Sequence, residues 1–292
     1  TTPKAIFVSA LRDMPLAADF EVELAGNEEA FQAGLTALSK IAKTYLGVGV
    51  EQHCNALGEA KNVELNVFDG PCPAGNVGIQ VNNIDPVNKG EVVWTVDPAS
   101  VIFFGRLFLT GKVDLHKKVA VAGSEMKLTG YANVLVGTPL AAFVEAQLKS
   151  TSHVRLINGN PLTGVKTTLA DYVGGHTSEI TAIPEGDDCD EMLGWILPRT
   201  DQFSTSRSYL SWLFGKKKEY NLDARIKGGE RHMIMSGEYD QVLPMDIFGE
   251  YLIKAIIAGD IDKQEQLGIY EVSPEDFAVA EFVDSSKLEL QK

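Results

Sequence analysis

A glycine- and proline-rich loop at residues 69–78 is the first place where this sequence could bind a ligand. It contains the run DGPCPAGNVG and directly follows a strand-like run that ends at Phe68. Open α/β sheets bind ligands in the crevice at the carboxyl ends of their strands. The loop has neither the G-x-G-x-x-G motif of dinucleotide sites nor the G-K-S/T of phosphate loops, so a structural turn, in which Asp69 accepts hydrogen bonds from loop amides, is the alternative. The candidate residues are Asp69, Gly70, Gly75 and Gly78.

An aromatic and basic segment at residues 207–218 is the second candidate. It combines an arginine, three aromatic side chains and three consecutive lysines in a chain whose net charge is −14. Trp, Tyr and Arg dominate interface hot spots, and aromatics beside lysines are typical of interfacial anchors, which predicts a docking surface. The alternative is a core helix whose basic end is favoured by the helix dipole. The candidate residues are Arg207, Tyr209, Trp212, Phe214, Lys216, Lys217 and Lys218.

Other polar patterns are weaker. The run KGGER at 227–231 could offer amides to an anion, or it could be a loop that enters a strand at 232–235. Acidic residues crowd at 187–191, where a solvated loop is the alternative to a cation site. The five histidines are scattered, and there is no G-x-S-x-G nucleophile elbow. The sequence therefore predicts neither a metal site nor a catalytic residue.

Composition excludes several classes of protein. The net charge of −14 repels nucleic acid phosphates and anionic lipid. No apolar run approaches the ~18 residues that span a bilayer, so we expect any membrane contact to be peripheral or through a partner. The three cysteines, Cys54, Cys72 and Cys189, form no C-x-x-C pair, which favours reduced cytoplasmic thiols and excludes an ordinary four-thiolate iron–sulfur cluster in this chain.

The elements that must position these residues fall into three parts. Strand and helix signals alternate over residues 1–116, which predicts a Rossmann-like, layered α/β domain. One helix begins at Asn27 as N-cap, and another runs from the Asp97–Pro98 pair to Gly111, with apolar residues around its whole circumference, so we expect the second helix to be largely buried. Strands are predicted at 4–9, 45–50 and 63–68.

The second and third parts differ in pattern. Residues 117–198 show strand, strand, helix and strand, which predicts a small mixed sheet with one helix across it; its strands are predicted at 118–123, 131–136, 153–157, 180–183 and 192–197. Residues 199–292 are predicted to be mostly helical. Ser273 and Pro274 should open the last helix as N-cap and first residue. The remaining helices are predicted at 204–214 and, after a lead-in run at 243–248, through residue 257.

Several of these stretches resemble one protein family, that of the A subunit of the bacterial Na+-translocating NADH:quinone reductase. The run FDGPCPAG at 68–75 is similar to a family segment with histidine at position 72. Further runs resemble the family in the same order, and together they cover nearly the whole chain. They are RLFLTG at 106–111, FSTSRSYL at 203–210, GERHM at 229–233 and GEYDQVLPMD at 237–246.

The resemblance implies a fold and a role. Residues 118–146, with LVGTPL at 135–140, look like the β-grasp (ubiquitin-like, soluble-ligand-binding) domain that the family shares with the complex I flavoprotein and with the C subunit of Rnf complexes. The family member is longer at both ends and begins with a barrel-sandwich domain, so this chain is expected to be a fragment. The complex uses NADH, flavins, an iron–sulfur centre, quinone and Na+, and its A subunit is linked to quinone access. By resemblance, residues 207–218 become a candidate partner or quinone-associated surface.

The resemblance also leaves an alternative. The flavin-binding glycine motif of the complex I relative and the cysteine clusters of the Rnf relative are both missing. We therefore expect a peripheral subunit without its own cofactor, at the cytoplasmic face of the bacterial inner membrane, partnered by the other subunits and especially by the B subunit in the membrane. The alternative is a free-standing flavin-dependent NADH oxidoreductase related to the complex I flavoprotein.

Overall fold

The protein is described here by a computed structural model that covers residues 1–187, 196–205, 207–214 and 218–292. The first domain is built on a parallel four-stranded sheet in the order β3-β2-β1-β4. The strands are β1 (Ala5–Ser9), β2 (Lys43–Gly49), β3 (Glu64–Phe68) and β4 (Val93–Thr95). The helices are α1 (Phe20–Leu24), α2 (Glu28–Leu38), α3 (Asn55–Gly58), α4 (Val77–Ile84) and α5 (Pro98–Thr110).

Strand alternation divides the apolar residues of this sheet between two cores. On β1, Ile6 and Val8 face α1, α2 and α5, while Phe7 faces α4 on the other side, where its ring stacks on Tyr45 at 4.9 Å. Helices α2 and α5 cross closely, since a Cβ on Gly105 would overlap the Ala30 carbonyl. Both faces of the sheet are covered by helices, as in other parallel sheets. This confirms the Rossmann-like, layered prediction.

The expected burial around the whole of α5 is wrong. Its Asp97 N-cap, Pro98 start and Gly111 end are as predicted, and Val101 and Ile102 are buried. The last turns, however, leave Phe104, Leu107, Phe108 and Leu109 between 39% and 68% exposed. Only the face that meets the sheet and α2 is covered, because no other described element packs against the far side of these turns.

The second domain is a five-stranded mixed sheet in the order β6-β5-β9-β7-β8. The central strands β5 and β9 are parallel, and the other pairs are antiparallel. The helix packs Val144 into a core that also holds Leu140 and Leu148, so this is the mixed sheet with one helix that the pattern predicted and the β-grasp arrangement that the resemblance implied. The elements are β5 (His116–Ala122), β6 (Gly130–Leu135), α6 (Ala141–Val144), β7 (Val154–Asn158), β8 (Val165–Thr167) and β9 (Glu179–Pro184). Most of the strand predicted at 192–197 lies outside the described residues.

All regular elements in the described part of residues 196–292 are helical. Its core joins Tyr239, Leu252 and Phe277, and the predicted capping of the last helix by Ser273 is present as a capping box with Asp276. The predicted helix at 204–214 is reduced to a 3-10 turn at Leu210–Phe214, and the predicted strand at 232–235 is wrong, since the chain there is irregular. The helices are α7 (Gly249–Ala258), α8 (Ile261–Gln266) and α9 (Ala278–Val283).

Candidate functional site

Loop 69–78 folds back over the carboxyl ends of β1 and β2. The Ser9 hydroxyl donates to the Gly75 carbonyl at 2.7 Å, and the Gln80 side-chain amide donates to the Ser9 hydroxyl at 2.9 Å. Gln80 is only 2% exposed, and it lies so close to β2 that a Cβ on Gly47 would overlap it. The part of the crevice at β1 and β2, where related sheets hold ligands, is therefore filled by side chains and backbone of this chain.

Gly75 is closely packed against the segment that follows β1. A Cβ at this position would lie 2.5 Å from the Asp13 carboxylate and 2.7 Å from the Leu11 carbonyl oxygen. Burial raises the pKa of Asp13, and nearby backbone amides, that of Gly75 first, partly offset the rise. Neither carboxylate oxygen of Asp13 makes a hydrogen bond of regular geometry among the described residues. Close packing, which leaves no room for a side chain, explains the glycine at this position without the need for a ligand.

The other candidate residues of the loop have different surroundings. Gly78 packs against the Asp276 carboxylate of the C-terminal region, while a Cβ on Gly70 would meet only the Ala74 Cβ, at an ordinary contact distance. Asp69 is exposed, and among the described residues its side chain makes no hydrogen bond, so the expected bonds from Asp69 to the loop amides are wrong. The Asp13 carboxylate, and not that of Asp69, lies beside the loop amides, because the loop turns toward β1. Sequence spacing could not reveal this contact.

Helix α4, which follows the loop, holds the C-terminal region against the first domain. The Asn76 side chain donates to the Glu275 carbonyl at 2.9 Å, and the Asn82 side chain donates to the Glu271 carboxylate at 2.7 Å. Each bond satisfies a polar group at a contact between sequence-distant segments. The loop and α4 thus act as one assembly element inside this chain.

A buried cluster of charges joins the first domain to the β-grasp domain. The Arg12 guanidinium lies 3.6 Å from the Glu23 carboxylate and 3.3 Å from the Asp97 carboxylate. Lys117 and Glu179, on β5 and β9, are 3% and 6% exposed and lie near the same cluster. Sequence patterns do not reveal this cluster, because its five residues come from five separate segments and share no motif spacing.

Burial governs the electrostatics of this cluster. Loss of solvation raises the pKa of the Glu23 and Glu179 carboxyls and lowers the pKa of the Lys117 ammonium, while the opposite charges nearby act against these shifts. Lys117 donates to the Gly175 carbonyl at 3.0 Å, and Glu179 accepts from the Ala18 amide at 3.2 Å. One oxygen of Glu23 has no hydrogen-bond partner among the described residues. The cluster stabilises one arrangement of the two domains, since separating them would remove Lys117 and Glu179 from the opposite charges of Glu23 and Arg12 on the first domain.

A cavity of about 440 Å³ opens beside this cluster, between α5 and the start of β5. Arg106 crosses it and donates to the His116 carbonyl at 2.6 Å and to the Asn27 side chain at 2.7 Å. Lys118 donates to the Val22 carbonyl at 2.7 Å near the end of α1. The basic groups of the cavity are thus engaged in holding the domains together, and Arg106 gives the run at 106–111 a structural role.

The aromatic and basic segment lies on the surface. Trp212 and Phe214 are 50% and 63% exposed, so they do not fill the core of the chain. Arg207 lies over the Trp212 ring at 6.0 Å, Lys218 lies over the Phe214 ring at 5.3 Å, and Tyr209 lies under a third cation, Arg199. Of the seven predicted residues, the structure pairs Arg207 with Trp212 and Lys218 with Phe214, and it places Tyr209 against Arg199. The other two, Lys216 and Lys217, lie outside the described residues.

The described residues offer little to metal ions or to a membrane span. No group of three or more histidine, cysteine or acidic residues among them is arranged to hold a metal ion. Residues 188–191 of the acidic run lie outside the described part. No helix in the described ranges is long and apolar enough to cross a bilayer. Cys54 and Cys72 are free thiols.

Comparison with known proteins identifies both domains. The chain matches the family described as "NqrA second alpha/beta domain" over residues 1–113 and the family described as "NQRA C-terminal domain" over residues 118–168. A solved structure of NAD+-reducing nickel–iron hydrogenase in the H2-reduced state is 13% identical, with a TM-score of 0.48, over 63% of this chain and 41% of that chain. A likeness of that size indicates nothing about function.

Two relatives align along almost the whole chain. The A subunit of the Na(+)-translocating NADH-quinone reductase of Pasteurella multocida (strain Pm70) is 35% identical over 291 residues, which cover 99% of this chain and 64% of that protein. Its counterpart from Neisseria meningitidis serogroup B is 35% identical over 294 residues, with coverages of 98% and 64%. The chain thus spans somewhat less than two thirds of the length of these relatives. Because both domains and the alignment agree, the chain belongs to the NqrA family, the A subunits of the Na+-translocating NADH-quinone reductase.

Proposed function

We propose that this chain is part of a peripheral subunit of a Na+-translocating NADH-quinone reductase, at the cytoplasmic face of the membrane. In this role it has no redox centre of its own, supports assembly of the complex and contributes to quinone access. Its partners are the other subunits, above all the B subunit in the membrane. The observation that carries the proposal is the alignment along 99% of the chain with a protein named as the A subunit of this reductase.

The geometry of loop 69–78 supports a role without a nucleotide at β1 and β2. Gln80, Ser9 and Gly75 are hydrogen-bonded to one another across the strand ends. A flavin or NADH at that position would have to displace a side chain that is 2% exposed and break these bonds, which leaves polar groups unsatisfied. Loop and helix α4 serve instead to hold the C-terminal region against the first domain.

The rigid connection between the domains supports an assembly role. The buried charges at Arg12, Glu23 and Lys117 and the contacts of α4 with the C-terminal region give the chain fixed internal geometry. A protein that positions partners benefits from such preorganisation, because the ordering cost is met before binding. The exposed aromatic and basic surface is the part of the chain that we assign to the membrane side of the complex.

Co-purification tests the proposal. A cell that produces the complete protein containing this chain, with an affinity tag, should yield the membrane subunits in detergent extract, and removal of that protein should abolish NADH-driven quinone reduction by the membranes. The same tagged protein with Gly75→Val serves as a misfolding control. The assembly role would be refuted by two results together. The tagged protein would be recovered without the membrane subunits, and membranes from cells that lack the protein would reduce quinone with NADH at the unchanged rate.

The absorbance spectrum separates the proposal from a free-standing flavoprotein. The purified chain should be colourless, with neither flavin nor iron in stoichiometric amount, and it should not oxidise NADH. A yellow protein that oxidises NADH by itself would instead support the flavin-dependent alternative.

A further inference from the structure

The surface formed by Arg207, Trp212, Leu213, Phe214 and Lys218 combines protruding apolar side chains with cations. Trp212, Leu213 and Phe214 follow one another in a 3-10 turn and are 50%, 59% and 63% exposed. Three adjacent large apolar side chains at this exposure form a tip that the described part of the chain does not cover. We call these five residues the aromatic–cationic surface.

Among the residues that the structure describes, no carboxylate pairs with the cations of this surface. Arg207 and Lys218 have no ion pair with an acidic side chain among the described residues; Lys218 donates only to the Thr200 carbonyl. Their charges lie over the rings of Trp212 and Phe214. The acidic chain, with a net charge of −14, thus carries a basic point where apolar rings protrude. This combination fits a binding partner that presents anionic groups and apolar groups within a few ångströms of each other.

We infer that the aromatic–cationic surface contacts the headgroup region of an anionic phospholipid bilayer. Trp, Phe and Leu beside Lys and Arg are the composition of segments that lie in the membrane interface. Protein–protein interfaces share the preference for Trp and Arg but are depleted in Lys, so the lysine at this tip favours lipid. The inference deepens the proposed function and rests on it, because it names what this part of the chain meets at the membrane.

The overall negative charge does not prevent this contact. Charges on the surface are screened beyond a Debye length of about 8 Å at physiological ionic strength, so only the nearest charges sense the headgroups. An orientation that brings acidic residues within this distance of the headgroups is disfavoured, so the basic tip is the side that approaches the bilayer. We therefore expect binding that depends on anionic lipid and weakens with salt.

Vesicle flotation of the full chain provides the test, with phosphatidylcholine vesicles that either contain or lack phosphatidylglycerol. Wild type should float only with the anionic vesicles and should be released by salt. Arg207→Gln should weaken binding about fivefold, the loss expected for one charge near a membrane surface. Trp212→Ala should weaken binding at least as much, and its melting temperature should remain that of wild type because the side chain is half exposed.

Matched controls use residues of the same kinds elsewhere on the surface. Lys40→Gln removes an exposed charge, and Phe108→Ala removes a ring that is 68% exposed on α5. Both should bind vesicles as wild type does. If these controls lose binding as strongly as Arg207→Gln and Trp212→Ala, the interaction is not specific to this surface and the inference is overturned.

Two further outcomes would overturn the inference without affecting the proposed function. In the first, the wild-type protein fails to float with anionic vesicles at low salt, and the Trp212→Ala variant no longer co-purifies with the membrane subunits in detergent. The surface then binds protein and not lipid. The other is Trp212→Ala that melts lower but binds vesicles normally, which makes Trp212 a packing residue. Failure of co-purification for wild type would instead refute the proposed function, whatever the vesicles show.

Discussion

Replacing Gly75 by alanine should destabilise the first domain through two specific contacts. The added Cβ would lie 2.5 Å from the Asp13 carboxylate and 2.7 Å from the Leu11 carbonyl oxygen. The carboxylate can rotate, but the carbonyl belongs to the segment that follows β1 and moves only with the backbone. Forced overpacking of this kind lowers the free energy of unfolding by about 1–3 kcal/mol. Gly75→Val adds two more methyl groups, so it should lower the free energy of unfolding by at least ~3 kcal/mol.

Thermal and urea unfolding, followed by circular dichroism, measure this effect. A loss of 1–3 kcal/mol corresponds to roughly 4–12 °C in melting temperature for a domain of about a hundred residues. Gly70→Ala is the matched control in the same loop, because its nearest neighbour, the Ala74 Cβ, would lie at an ordinary 3.8 Å. This control should stay within about 0.5 kcal/mol of wild type.

A double variant distinguishes the two contacts. Asp13→Ala in the Gly75→Ala background removes the carboxylate but leaves the Leu11 carbonyl, so it should restore only part of the stability. If Gly75→Ala unfolds at the same midpoint as Gly70→Ala, the close packing of the loop over β1 is wrong, and with it the argument that the crevice is filled.

Three further predictions concern other parts of the molecule. Gly105→Ala places a Cβ against the Ala30 carbonyl where α2 and α5 cross, and it should lower the free energy of unfolding in urea by at least ~2 kcal/mol, whereas Gly130→Ala, with open space around it, should not. The Arg155 guanidinium lowers the pKa of Glu185 to about 2. Wild type should therefore be about 1 kcal/mol more stable than Glu185→Gln above pH 4.5, and this difference in the free energy of unfolding should disappear as the pH falls through about 2. An equal difference at pH 7 and pH 2 in urea unfolding would contradict this. Burial raises the pKa of the Cys72 thiol to about 11, so iodoacetamide should alkylate it much more slowly at pH 8 than a free thiol, as peptide mass spectrometry can measure, and equal rates would contradict the burial.

Local signals in the sequence predicted the capped and periodic elements well. The helix from Pro98 to Gly111 begins and ends where its caps indicate, and the predicted cap at Ser273 opens the 3-10 turn Pro274–Phe277 that leads into the last helix, because capping depends on residues within one turn. Strands β1, β2 and β3 of the first domain were predicted because they are apolar runs between turn residues, whereas the three-residue β4 was not predicted. Family resemblance added the β-grasp assignment, which the mixed sheet confirms.

Elements near the surface were predicted less well, since their structure depends on what covers them. The apolar circumference of α5 indicated burial, yet Phe108 is 68% exposed. The segment that ends at Phe214 has the composition of a core helix and forms only a 3-10 turn. Composition alone cannot distinguish an apolar face that packs inside the chain from one that is left open.

The sequence by itself determined the class of elements, their order along the chain and the location of the two candidate segments, because each rests on residues that are neighbours in sequence. Only the tertiary structure decided that Asp13, not Asp69, meets the loop, that Gln80 fills the strand ends, and that Glu23 and Lys117 share a buried cluster across the two domains. These contacts join segments that are far apart in the chain. Their energies depend on burial and distance, which exist only once the sheets have formed.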